Sequence, residues 1–412
     1  MMPAAIQPSP VNADTLSTRP RMRLEFLDGL RGLAALYVVL GHTSGDNIAS
    51  LPPNARWAFS WMDYARLAVD VFIVLSGFCL MLPVVRSTEG QLRGGAAAYL
   101  KRRAWRILPP YYAALALSLA FLLLSRTGLR FMEGHVDADM ALTFAPGNLL
   151  THLFLVHNLR SIYSMSINGP LWSVATEWQI YFVFPLLLLP LWRRFGIAAA
   201  VAGGFCIGLL PHFLLPMGRN FDWACPWYIG LFALGMLGAE IGFGRAPHLE
   251  RVRRVLPWGP LSFVLSIGAC GFISLRPHFY YQRAGFVGDT LAGLAAISLI
   301  IYCAGYATRE TATRPPLILR LLEARWVVFL GSFSYSLYLT HRIAMLKLYP
   351  ILQVARLTPV VERVVIITVC IPVVLVFAYV FHRVCERPFM SGRLRVGQSR
   401  AVEEVPTAAK SS

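Results

Sequence analysis

The chain has 412 residues, 56% of them hydrophobic and only 14% charged, and carries a formal net charge of +17. A soluble domain holds about a quarter charged residues, so with a mean hydropathy of +0.56 this composition excludes an ordinary soluble fold. The basic excess then reads as arginine-rich cytoplasmic loops of an all-α polytopic membrane protein, not as a nucleic-acid surface.

In chain order, residues 1–25 form a polar tail with no apolar run before Arg19, Arg21 and Arg23, so no cleavable signal peptide is expected. A membrane domain occupies 26–386 and a short tail follows over 387–412. Runs of roughly twenty apolar residues predict about ten spans, over 27–47, 65–85, 107–125, 170–191, 196–216, 225–244, 256–275, 285–306, 327–349 and 362–384. Basic connections at 86–106, 193–194, 245–254 and 309–325 alternate with less charged ones. The positive-inside rule places these loops and both termini in the cytoplasm.

The first span, LDGLRGLAALYVVLGHT, carries Arg31 and His42 eleven positions apart. At about 100° per residue they fall within roughly 20° of one face, with an axial gap of about 16 Å. Ionisable groups at such depth usually face a polar cavity. In the predicted topology His42, Asp70, Glu177 and His341 lie at similar depth near the outer side, on four different helices. Each has a structural alternative: Asp70 as a helix cap, His341 snorkelling, Glu177 bridging helices. Together they suggest a histidine base with orienting acids.

On the inner side, KRRAWRILPPYY places Lys101, Arg102, Arg103 and Arg106 just before a span. Headgroup anchoring and an anion site for a polyphosphate both account for this cluster. The long connection 125–169 includes GNLLTHLFLVHNL, expected to be re-entrant or interfacial, and holds His135, His152 and His157, expected at the surface or the interface and not as metal ligands. The seven cysteines lie mostly in apolar runs without C-x-x-C spacing, so neither disulfides nor a metal site is expected.

An anion site inside and a base outside, about 16 Å apart, suit a long, thin donor such as coenzyme A, whose pantetheine arm is of that length. The ordered motifs LDGLRGLAALYVVLGH, VDVFIVLSGF, KRRAWRILPPYY, GPLWSVATEWQIYFVFPLL, GSFSYSLYLTH and ERPF resemble the acyltransferase family 3 membrane O-acyltransferases. The resemblance runs from Phe26 to Phe389. It implies transfer of an acyl group, commonly acetyl, from cytoplasmic acyl-coenzyme A to a hydroxyl of a glycan, glycolipid or related acceptor in a bacterial inner membrane. No permanently bound cofactor or metal is implied.

Carried over by position, His42 is the base and Arg31 its motif partner. Asp70, Arg103, Arg106, Glu177 and Tyr181 match other motif positions. Trp172, Ser173, Tyr338 and His341 lie in the same motifs and complete the candidate donor and substrate site. In the mechanism this suggests, Asp70 or Glu177 orients the His42 ring, and Tyr181 or backbone donors hold the oxyanion. An acyl-enzyme through Ser173 or His42 stays open. The rival reading is a transporter or flippase for an anionic lipid or glycan, with these charges lining its path.

Overall fold

A computed structural model describes residues 24–43, 51–133, 137–214, 222–275, 285–308 and 314–390. The tail residues 1–23 and 391–412, and with them most of both predicted tails, lie outside the described residues, as does His135. The described chain is helical, with no strand.

Each predicted span has a helical counterpart. These are α1 (Glu25–His42), α2 (Leu67–Arg86), α3 (Gly95–Leu123), α4 (Leu171–Phe195), α5 (Ile197–Leu214), α6 (Tyr228–Phe243), α7 (Trp258–Leu275), α8 (Gly285–Ala307), α9 (Ser334–Val354) and α10 (Pro359–Phe389). Among the described residues, seven helices are long and apolar enough to cross a membrane, or eight if the bent pair formed by α6 and Pro247–Val255 is one span. About ten spans were expected; seven, or eight with the bent pair, qualify by length and apolarity. The remaining helices are instructive. α1 carries Glu25, Asp28 and Arg31, and α9 carries His341 and Arg342. Chemistry-bearing residues make them less apolar.

The bundle has an inside and a rim. The apolar window of α8 is 61% buried within the protein, whereas those of α5 and α7 are 17% buried. On α7 the side chains of Phe263, Val264 and Ile267 remain exposed to the surroundings, as lipid-facing residues would be. α6 is buried on nearly every side, against α2, α5 and α8.

Two glycine contacts set the helix spacing around the site. A methyl at Gly77 of α2 would lie 2.0 Å from the Phe232 carbonyl oxygen, and one at Gly235 of α6 would lie 2.1 Å from that of Val74. Small residues let membrane helices approach backbone to backbone. In the same way Gly29 of α1 meets the Leu322 carbonyl and Gly331, in the short helix Arg325–Ser332, meets that of Asp28. The glycines of LDGLRG and LSGF are thus packing residues, seating α1 on the 317–332 segment and α2 on α6.

Candidate functional site

Between α1, α2, α3, α4 and α9 lies a cavity of about 300 Å³. Its charged lining is Arg31, Arg103, Arg106 and Glu177; its hydroxyls include Ser76, Ser173, Tyr181, Tyr335 and Tyr338. Three guanidinium groups thus face one carboxylate. Arg31 donates to Asp28 Oδ1 at 3.0 Å and to Cys79 Sγ at 2.9 Å. Arg103 and Arg106 have no hydrogen bond or ion pair to any described residue, and Arg103 Nε is buried without a partner. Unpaired guanidinium groups on a cavity wall leave donors that match an anion's oxygens.

The helix α3 explains how one basic cluster serves two ends. Arg103 and Arg106, three residues apart, share the cavity face. Lys101 and Arg102 are exposed on the other side, and Arg102 donates to the Arg93 carbonyl at 2.9 Å. Trp105 is 47% exposed and stacks on Phe389 of the ERPF motif, centroids 6.0 Å apart. The basic cluster thus divides between the cavity wall and the exposed face of α3.

Glu177 Oε1 accepts hydrogen bonds from Ser76 and from Tyr181, the latter at 2.5 Å. The Tyr181 hydroxyl is thereby committed to Glu177 in this state instead of being aimed at an oxyanion. Ser173 Oγ and the Tyr338 hydroxyl lie 2.6 Å apart and join α4 to α9 at the cavity wall. The Tyr338 ring packs 5.9 Å from Phe72 and 5.9 Å from His341. His341 in turn meets His42 edge-on, with ring centroids 4.9 Å apart. The wall of the cavity thus leads through Tyr338 to a pair of imidazoles. Trp172 does not line it; its ring tilts against Tyr228 at 6.1 Å.

The expected gathering of His42, Asp70, Glu177 and His341 at one point needs correction. The structure divides these residues into three places, with the histidines paired and Glu177 in the cavity wall. Asp70 is fully buried beside Asp289, Arg66 and Tyr228. Asp289 of α8 bonds Arg66 at 3.2 Å and Trp227 Nε1 at 2.8 Å. Neither Asp70 nor Glu177 orients an imidazole. Backbone does it instead: His42 Nδ1 lies 2.8 Å from the Val38 carbonyl, one helical turn back. Sequence depth ranks residues along a helix axis but not around a bundle, which is why the grouping failed.

A second correction concerns the 126–169 connection. His152 and His157, expected at the surface or the interface, are fully buried and stack in parallel at 3.8 Å. Burial pushes the His152 imidazole down from 6.5 to about 4. Burial and the adjacent His152 ring push His157 down to about 3. GNLLTHLFLVHNL forms the short helix Pro146–Leu153 and a following turn, tied to α3 by the Tyr111 hydroxyl on the His152 carbonyl at 2.9 Å.

Several supporting residues gave weak sequence signals. Asn168 donates to Ser118 and to the Leu339 carbonyl, at 3.2 and 3.0 Å, fixing α9 just before His341. Glu386 of ERPF is buried and accepts from Ser336 at 2.5 Å and His382 at 2.8 Å. Arg363, also buried, donates to the Thr43 carbonyl next to His42. No group of three or more His, Cys, Asp or Glu residues suited to a metal occurs among the described residues.

With this geometry in place, comparison with known proteins is decisive for the family. The acyltransferase-domain family matches over residues 24–383. The chain belongs to that family. Peptidoglycan O-acetyltransferase OatA of Listeria monocytogenes serovar 1/2a is 24% identical over 364 residues, covering 82% of this chain and 50% of the relative. O-acetyltransferase OatA of Staphylococcus aureus strain NCTC 8325 is 23% identical over 332 residues, covering 76% and 49%. This chain spans about half the length of these relatives. Protein 2 in the picA locus of Rhizobium radiobacter is 31% identical over 189 residues, 45% of this chain and 89% of its own. No solved structure matches. The family resemblance of the motifs is borne out, and the chain is a multi-pass membrane protein.

Proposed function

We propose that this protein is a membrane O-acyltransferase. It takes an acyl group, acetyl in the first instance, from cytoplasmic acyl-coenzyme A and passes it to a hydroxyl of an envelope glycan or glycolipid. The observation that carries this reading is the arginine-walled cavity whose far wall, at Tyr338, touches the histidine pair. Membership of the acyltransferase family and the names of the O-acetyltransferase relatives support it.

In this reading Arg103, Arg106 and Arg31 grip the donor's phosphates, since planar guanidinium forks match phosphate oxygens. By the positive-inside rule the basic loop before α3 faces the cytoplasm, and the donor enters from that side. His42 acts as the general base. Its Nδ1 faces a carbonyl oxygen, which can only accept, so Nδ1 carries the hydrogen and Nε2 the lone pair. The acceptor O–H bond breaks and its proton goes to His42 Nε2. The oxygen forms a C–O bond to the thioester carbon, the C–S bond breaks, and the proton passes to the departing sulfur. Donor held by arginine and proton held by histidine are separate tasks at separate ends of α1.

Purified protein incubated with labelled acetyl-coenzyme A and peptidoglycan fragments, lipid-linked sugars or simple glycans tests the proposal. Label appearing as an alkali-labile ester on a carbohydrate is expected. Movement of an unmodified lipid or glycan across vesicles, without donor consumption, would replace it with a transporter.

A further inference from the structure

Among the described residues lining the cavity, Glu177 is the single acid, facing Arg31, Arg103 and Arg106. It pairs with none of the three. Arg31 turns to Asp28 instead, and neither Arg103 nor Arg106 has an ion pair to a described residue. Glu177 Oε1 accepts from Ser76 of α2 and, at 2.5 Å, from Tyr181 one turn further along α4. Two hydroxyls on two helices thus set the direction of the carboxylate. Oε2 accepts no hydrogen bond from a described residue, and the half-buried side chain presents it to the cavity.

A wall of guanidinium donors therefore holds one free acceptor. An ionised carboxylate oxygen can only accept, so the group it meets must bring an N–H or O–H. The phosphates that suit arginine bring acceptor oxygens, so the ligand that fits must carry both kinds of group. Position narrows the choice. Ser173, Glu177 and Tyr181 follow at four-residue spacing on the cavity face of α4, about 6 Å apart along its axis. Ser173 bonds Tyr338 at the histidine end, while Tyr181 interacts electrostatically with Arg31, Arg103 and Arg106. Glu177 stands between the two ends.

We propose that Glu177 reads the middle of the donor: its free oxygen accepts a hydrogen bond from an amide N–H of the pantetheine arm. The inference rests on the acyl-coenzyme A reading above and names a second contact in the same cavity. The arm, with its two amides, passes Glu177 when the phosphates lie against the arginines and the thioester lies beside Tyr338. No covalent bond is made or broken there. The carboxylate also repels a phosphate that slides toward it. Glu177 thereby favours a phosphate-bearing ligand with an amide arm over a bare nucleotide.

The test is calorimetry on full-length protein in detergent, with coenzyme A and adenosine 3′,5′-bisphosphate as probes. The second probe carries phosphates but no pantetheine arm. In Glu177→Gln, with thermal unfolding matching wild type, the amide oxygen still accepts from Ser76 and Tyr181 while the NH2 confronts the ligand's N–H. Coenzyme A should bind about 10- to 100-fold more weakly, the worth of a hydrogen bond to a charged group. Adenosine bisphosphate should bind as well as before or more tightly, because a negative charge has left the cavity. Equal weakening of both probes would mark Glu177 as a structural link between α2 and α4 and overturn the proposal, as would unchanged coenzyme A affinity. A second arm needs no variant. Coenzyme A methylated at both pantetheine amide nitrogens should bind wild type at least about tenfold more weakly than coenzyme A. Equal affinity for the two would overturn the proposal. Wild-type protein that binds neither coenzyme A nor adenosine bisphosphate would contradict the acyl-coenzyme A reading itself, and the inference with it.

Discussion

Tyr338 and Ser173 stand hydroxyl to hydroxyl at 2.6 Å, joining α9 to α4 where the arginine-walled cavity ends and the histidine pair begins. The Tyr338 ring also packs against His341, so this contact joins the cavity to the histidine pair. Losing it should loosen that alignment without dismantling either end. We expect Tyr338→Phe, which keeps the ring, and Ser173→Ala to lower transfer by about tenfold each, matching one hydrogen bond. Because both remove the same bond, the double variant should be little worse than either alone. Complete loss in Ser173→Ala alone would instead mark Ser173 as a covalent nucleophile.

The two unpaired arginines of α3 predict a donor phenotype. Arg103→Ala or Arg106→Ala should weaken acetyl-coenzyme A binding about 10- to 100-fold, the worth of a charge-assisted hydrogen bond. Lysine at either position should recover only part, since the paired geometry is lost. Dephospho-coenzyme A donors should narrow the difference between variant and wild type if these side chains meet phosphate. Calorimetry on detergent-solubilised protein reads both effects, and unchanged affinity in both alanine variants would leave the arginines without a donor role.

Close helix approach makes a stability prediction with an internal control. Gly77→Ala should destabilise the protein by about 3 kcal/mol, because the added methyl meets the Phe232 backbone of α6. Gly271→Ala on α7 meets nothing within 4 Å and should be neutral or slightly stabilising, since alanine is the better helix former. Thermal unfolding in detergent compares them. Equal midpoints would mean that the α2–α6 contact can spread at little cost.

The buried histidine stack gives the 137–168 region an acid-sensitive stability. Both imidazoles titrate lower when folded, His152 at about 4 and His157 at about 3, against 6.5 for an ordinary histidine. The unfolded segment therefore binds more protons below pH 6.5, and stability falls as pH drops from there toward about 4 and then about 3. Above that window the stack contributes fully. Hydrogen exchange of Pro146–Leu153 as a function of pH checks this, and His157→Phe should flatten the dependence while keeping a ring in the stack. Acid-independent protection in wild type would contradict the assignment.

Much of this was legible in the sequence because membrane helices write their length and polarity into composition. The cavity arginines were readable for the same reason: Arg31, Arg103 and Arg106 are conspicuous in apolar surroundings. The lateral grouping was not. Asp70 and Glu177 lie at plausible depths on α2 and α4, yet they turn to Asp289 and to Ser76 and Tyr181, and only packing around the bundle decides that. His152 and His157 failed differently. Their segment is too short for a span and only weakly apolar, so its burial comes from contacts with α3 that no local pattern announces. Backbone partners such as the Val38 carbonyl leave no sequence signal at all, because every residue offers one.

The central claim is that one helix separates donor binding from proton removal, with Arg31 on the donor side and His42 as base. Measuring acetyl-coenzyme A affinity and acyl transfer separately on His42→Gln tests it most directly. Glutamine keeps a polar side chain of moderate size but cannot take the acceptor's proton. Donor affinity should stay within about threefold of wild type while transfer falls by about 10²- to 10⁴-fold, the usual worth of a general base. Substantial transfer by folded His42→Gln protein would contradict it.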